Sequence, residues 1–158
     1  LLLIGVNPGL ATEPDRVTRR AADAELAGVL RRKGIGAFVD RWERLPLFAS
    51  QSSVSREWRE IQRAVRLLHD AGGLARSLEE MGLAEMPDYR PLLARWPAPV
   101  TFLTGALDGK FTAIARRLAR PRDRQVAVPD AGHNLLLEAP EAVARLIDEL
   151  DQAGAISK

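Results

Sequence analysis

Hydrophobic residues follow two different rhythms along this chain. Residues 1–6 are an almost unbroken apolar run, Leu-Leu-Leu-Ile-Gly-Val, and shorter runs recur at 99–103 and 125–128. Unbroken runs of this length mark strands buried on both faces of a parallel sheet. Between the first two runs the apolar side chains return every three or four positions. Phe38, Trp42 and Leu45 form one such series, Trp58, Ile61, Val65 and Leu68 a second, and Leu74, Leu78 and Met81 a third. That spacing is helical.

Local punctuation sharpens the pattern. Thr12-Glu-Pro-Asp15 combines a Thr cap, a proline in the first turn and acids at the positive end of the helix dipole, so a helix is predicted from there to about Arg32. Lys33-Gly34-Ile-Gly36 ends it, and a short helix over 37–45 and a hydrophobic loop over 46–48 follow. Ser55 caps the next helix, which Gly72-Gly73 is expected to close, and a further helix stops at Gly82. A loop over 86–90 leads into a helical turn over 91–95. Beyond it come a strand over 100–103, a helix over 110–119, a strand over 125–128 and a helix over 140–150 that opens on Pro140 and Glu141; residues 152–158 read as a frayed tail. The last two strands are joined by an ordinary crossover helix, whereas 7–96 is far longer than a crossover needs. The expectation is an α/β fold with about three parallel strands. Residues 1–6 and 97–158 form a partial core, and 7–96 form an inserted helical lid.

Composition changes this picture little. A chain of 158 residues with 46% hydrophobic content can close one core, and 28% charged residues of mixed sign argue against disorder. The absence of cysteine excludes disulfides, thiolate metal sites and a Cys nucleophile. No apolar run approaches the roughly 18 residues that span a bilayer, so no membrane partner is expected. The run at 1–6 lacks the basic leader and length of a signal peptide, and a cytoplasmic location is the expectation. Net charge is +2, with lysine only at 33, 110 and 158 and arginine supplying the rest. The basic residues are scattered among acids with little aromatic interleaving, which disfavours a nucleic-acid surface.

Candidate chemistry lies behind the last two strands. The first yields Leu103-Thr-Gly-Ala-Leu-Asp108-Gly-Lys-Phe111, and the second yields Pro129-Asp-Ala-Gly132-His133-Asn134 followed by Glu138-Ala-Pro140. Asp108 and His133 are therefore 25 residues apart, each just past a strand end, where groups from parallel strands converge. A carboxylate can fix the tautomer of a histidine and stabilise its cation, which makes the histidine a general base. The plainer alternative is that Asp108 makes a turn and His133 caps the next helix. His69, the other histidine, is given no role.

These residues resemble a known family. Asn7-Pro-Gly-Leu10, the helix bearing Arg16, Arg19 and Arg20, Trp42, Pro46-Leu-Phe-Ala-Ser50, Pro87-Asp88, the Asp108-Gly-Lys-Phe111 segment and the Gly132-His133-Asn134 segment occur in one order. Together they look like the menaquinone-pathway lyases of α/β-hydrolase fold, the 2-succinyl-6-hydroxy-2,4-cyclohexadiene-1-carboxylate synthases. In the α/β-hydrolase order of nucleophile, acid and histidine, this chain carries the last two members. It has no Gly-x-Ser-x-Gly elbow, and it reads as the C-terminal part of the fold with the nucleophile half as its missing partner. The resemblance implies elimination of pyruvate from a cyclohexene tricarboxylate, with a Ser-His-Asp triad as base and no metal or organic cofactor. By position it implies that Arg19, Trp42 and Arg63 hold the polycarboxylate substrate. The chain departs from the family at Ala64-Val65-Arg66, where an Asn often follows the second arginine, and in the apolar Leu135-Leu136-Leu137. Two alternatives stand beside this reading: a hydrolase of esters or carbon–carbon bonds using the same Asp108 and His133, and an inactive binding or scaffolding remnant.

Overall fold

A computed structural model describes residues 1–154. In chain order its elements are β1 (Leu2–Ile4), α1 (Glu13–Trp42), a 3₁₀ segment (Pro46–Ser53), α2 (Arg56–Leu67), α3 (Ala71–Glu80), α4 (Arg90–Ala94), β2 (Thr101–Gly105), α5 (Gly109–Leu118), β3 (Arg124–Val128), α6 (Leu135–Glu138) and α7 (Pro140–Gln152). They group into two compact units. One comprises Leu1–Asn7, Pro46–Ser55 and the chain from Pro91 onward; the other comprises Pro8–Leu45 and Arg56–Arg90. The division differs from the expected one mainly at residues 46–55, which group with the sheet and not with the helices.

The first unit is built on a three-stranded parallel sheet in the order β1-β2-β3. Leu3 pairs with Phe102, and Leu103 with Val126. All five residues of β2 are buried, as its position between two strands requires. Side chains alternate between two cores. Leu103 and Val128 pack with Leu135 and with Val143, Leu146 and Leu150 of α7, joined by Leu2 and Ile4. Val100 and Phe102 pack on the opposite face with Ala115 of α5, Leu3 and Trp96. Each fully buried leucine or valine here stabilises the fold by roughly 1.5–3 kcal/mol.

The second unit is helical. Ala27, Leu30, Phe38 and Val39 of α1 bury against Ala75 of α3, with Trp42, Leu74 and Leu78 at the margin. Thr12 caps α1 through its hydroxyl, which accepts from the Asp15 amide. Gly34 interrupts the helix with φ 76° and ψ −179°, a conformation essentially reserved for glycine; the break falls where the sequence places it. Gly72-Gly73 act differently from the expectation. α2 ends earlier, at Leu67, and the two glycines lie in the first turn of α3, where Asp70 accepts from the Gly73 amide. An Asx cap that satisfies an orphan N–H outweighs the glycines as a stop signal. At the C-terminal end Gln152 is still helical and Ala153 and Gly154 form a turn, unlike the frayed tail expected from 152; residues 155–158 of that expectation lie outside the described residues.

Candidate active site

β2 and β3 end side by side, and the loops leaving their C-terminal ends cross at close quarters. The Ala106 amide donates to the Val128 carbonyl, and the Leu107 amide donates to the Ala131 carbonyl. A Cβ on Gly105 would come within 2.1 Å of the Gly132 carbonyl oxygen and 2.2 Å of that of Ala131. Only glycine permits this approach, and the approach is what brings the two loops into register.

Asp108 stands at the N-terminus of α5. Its Oδ1 accepts from the Phe111 amide at 3.1 Å, and its Oδ2 lies 2.8 Å from His133 Nδ1. The Asp108 side chain is only 4% exposed, while His133 retains 23%. An ionised carboxylate at this distance places the ring proton on Nδ1, leaving Nε2 as the nitrogen that can accept a proton. Phe111 flanks the imidazole with ring centroids 4.3 Å apart, and Phe48 is farther off at 6.3 Å. A Cβ on Gly5 would sit 3.3 Å from His133 Cε1, so β1 ends against the same ring. Asp130, at φ 56°, makes the tight turn that aims the chain from β3 into this loop.

The pair borders a cleft of about 520 Å³ lined by Pro46, Leu47, Ser50, Leu107, Lys110 and Gly132 among others. Lys110 contributes a cation to its wall, with Nζ 5.4 Å from the Phe111 ring centroid. Phe48, Ser50, Lys110 and Phe111 were given no individual role by the sequence. Their signal was nonetheless present, in the Pro46-Leu-Phe-Ala-Ser50 and Asp108-Gly-Lys-Phe111 segments.

Arg19, Trp42 and Arg63 belong to the helical unit. Arg19 Nε donates to Asp23 Oδ2 at 2.8 Å. Asp23 is 2% exposed, and its Oδ1 has no hydrogen-bond partner among the described residues. Arg63 donates to Asp40 and to Glu43 Oε2, bonds that push its pKa up from the ordinary guanidinium value, Asp40 contributing most and Glu43 next. Trp42 stacks on Phe38 with centroids 5.6 Å apart. Both arginines thus already bind carboxylates of their own chain, and Trp42 shares in the core of its unit.

Comparison with known proteins agrees with this architecture. Residues 2–146 match the alpha/beta hydrolase family. Two curated relatives carry the name 2-succinyl-6-hydroxy-2,4-cyclohexadiene-1-carboxylate synthase. The one from Enterobacter sp. (strain 638) is 33% identical across 95% of this chain and 56% of its own length. The one from Salmonella paratyphi B is 34% identical across 96% of this chain and 57% of its own length. Among solved structures, MenH from S. aureus superposes with a TM-score of 0.90 at 31% identity, covering 96% of this chain and 58% of that one. A thermophilic esterase from Thermogutta terrifontis gives a TM-score of 0.73 at 28% identity, covering 97% of this chain and 55% of that one. The chain therefore spans a little over half the length of the relatives it matches.

Proposed function

The chain belongs to the alpha/beta hydrolase family, and from that premise we propose that it is the C-terminal part of a lyase that eliminates pyruvate from a cyclohexene tricarboxylate in menaquinone biosynthesis. The observation that carries this reading is the 2.8 Å contact between His133 Nδ1 and Asp108 Oδ2, in a chain whose relatives bear that synthase name.

In the proposed step His133, oriented by Asp108, is the base through which the ring C–H proton leaves, with a serine from the N-terminal part of the fold as the intervening hydroxyl. The C–H electron pair becomes the new ring double bond, the ring C–O bond breaks, and the pyruvate enolate departs, taking the proton back from the His133 imidazolium as it ketonises to pyruvate. Asp108 stabilises the imidazolium that forms. Arg19, Trp42 and Arg63 hold the substrate carboxylates. An arginine fork suits this task because it binds a carboxylate through two parallel hydrogen bonds. In this reading a substrate carboxylate competes with Asp23 for Arg19, and with Asp40 and Glu43 for Arg63.

The second reading, an ester or carbon–carbon hydrolase, is favoured by the likeness to the esterase and would use the same pair with serine as a covalent nucleophile. The two are separated by assaying the full-length enzyme for pyruvate release from the tricarboxylate and for hydrolysis of a neutral aryl ester. The lyase reading expects the first reaction to be the faster. It also expects Arg19→Ala to lower kcat/KM for the tricarboxylate by at least about tenfold while leaving the ester reaction unaffected, and Arg19→Lys to be harmful too, since it keeps the charge but loses the fork. A faster ester reaction, or an unchanged tricarboxylate kcat/KM in Arg19→Ala, would favour the hydrolase.

A further inference from the structure

The loop that presents His133 is held from behind by a side chain the proposed chemistry does not use. Glu138 closes the single turn of α6 and folds back over the loop. Its Oε2 accepts from the Gly132 amide at 2.7 Å, and its Oε1 accepts from the Asn134 amide at 3.1 Å. These are the amides on either side of His133. The arrangement is akin to a capping box, in which an acid one turn into a helix reaches back to the amide of the cap residue, but here one carboxylate takes two amides and spans the histidine between them. The Asn134 side chain makes no capping bond of its own, so Glu138 supplies the acceptor that the start of α6 requires. The turn is closed from the other direction as well, because the Glu138 amide donates to the Asn134 carbonyl at 2.8 Å. Gly132 is wedged in place: a Cβ there would come within 1.9 Å of Ser50 Oγ and 3.0 Å of Glu138 Oε2.

We infer that Glu138 is a positioning residue, a two-pronged clamp on the backbone flanking His133 that fixes the imidazole against Asp108. The role rests on the reading of His133 as the base. Two bonds to the amides of Gly132 and Asn134 fix both the height and the rotation of the intervening residue, which one bond cannot do. Asp108 holds the ring by one nitrogen, and Glu138 holds the backbone from which the ring projects. Gln is nearly isosteric with Glu, but its amide nitrogen donates and cannot accept an N–H, so Glu138→Gln keeps one prong and loses the other. Glu138→Ala loses both.

The test uses the full-length enzyme, assayed well below the melting temperature of each variant as established by circular dichroism. A graded loss of kcat is expected, roughly tenfold for Gln and roughly a hundredfold for Ala, with KM held within about twofold, because a misplaced catalytic group lowers the rate without weakening substrate binding. Proton NMR gives a readout independent of turnover. The low-field Nδ1–H resonance of His133, which the 2.8 Å contact with Asp108 leads one to expect in the parent, should weaken or shift in Glu138→Gln and vanish through exchange in Glu138→Ala. A purely structural glutamate would lower the melting temperature and leave this resonance and kcat alone, and that result in the folded Gln variant would overturn the inference. If His133→Ala itself leaves turnover intact, the base assignment fails. The NMR resonance still decides the clamp, since it reports the His133–Asp108 geometry whatever the reaction.

Discussion

At the scale of single residues, Asp108 divides its two oxygens between two tasks: Oδ1 caps α5 and Oδ2 meets His133. The cap and the contact with His133 are thus not mutually exclusive, because one carboxylate makes both. The rival role for His133, capping the next helix, falls instead to the position of Asn134. The crossing of the loops depends on Gly105 and Gly132. Gly132→Ala drives a methyl into Ser50, and overpacking of this kind costs about 1–3 kcal/mol. Urea melts of the full-length enzyme should show that loss. An unchanged midpoint would mean that the 3₁₀ segment gives way. Residue types and their order were legible at Asp108 and His133 because each follows an apolar strand. The Glu138 clamp was not legible as geometry, since α6 is a single turn, and three consecutive leucines carry no periodicity from which to read it.

Among the elements, β2 and β3 are tied together at their starts by one buried acid. Asp123 accepts from the Val100 amide at 2.9 Å and from the Arg120 guanidinium, which also donates to the carbonyls of Trp96 and Ala98. The Asp123 side chain is 1% exposed. The Arg120 hydrogen bond, foremost among the causes, holds its carboxyl far below the usual carboxylate range, with the backbone bonds from Arg120 and Val100 adding to the effect and burial opposing it. A depressed native pKa stabilises the fold above the unfolded value near 3.9, and the contribution is lost as pH falls through that value toward the native one. Stability should therefore decline from about pH 5 downward, and Asp123→Asn should cost about 3–5 kcal/mol at neutral pH while flattening the acid limb. Denaturant melts across the acid range measure both. Parallel profiles for parent and variant would refute the assignment. The strands and α5 were readable to within a residue or two, because apolar runs mark the strands; burial on both faces holds for β2 alone, while β1 is half-buried and three of the five residues of β3 are exposed. α2 shows the limit of periodicity: Trp58, Ile61 and Val65 keep helical spacing, yet all three are more than 40% exposed, since spacing reveals a helix but not what covers it.

For the molecule as a whole, the sheet and the helices form separate compact units, and the chain corresponds to 55–57% of the length of its curated relatives. Among the described residues β1 pairs only with β2, so its other edge is open and flanked by apolar side chains. Open apolar edges template association. The 158-residue polypeptide should self-associate in analytical ultracentrifugation, whereas the same residues joined to the N-terminal half of the fold should sediment as one defined species; a monodisperse isolated polypeptide would contradict this. The α/β class was legible at this scale from the two rhythms, but the attachment of residues 46–55 to the sheet unit was not, because a short 3₁₀ segment has no pattern that names its neighbours. The central claim is that His133, held by Asp108, moves the proton in a pyruvate elimination. Its most direct test is the steady-state rate of pyruvate release by the full-length enzyme and by folded His133→Ala and Asp108→Asn variants. The account predicts a fall in kcat of about 10² to 10⁴ for His133→Ala, and a large loss for Asp108→Asn through the wrong ring tautomer. Pyruvate release at the parental rate in either variant would contradict it.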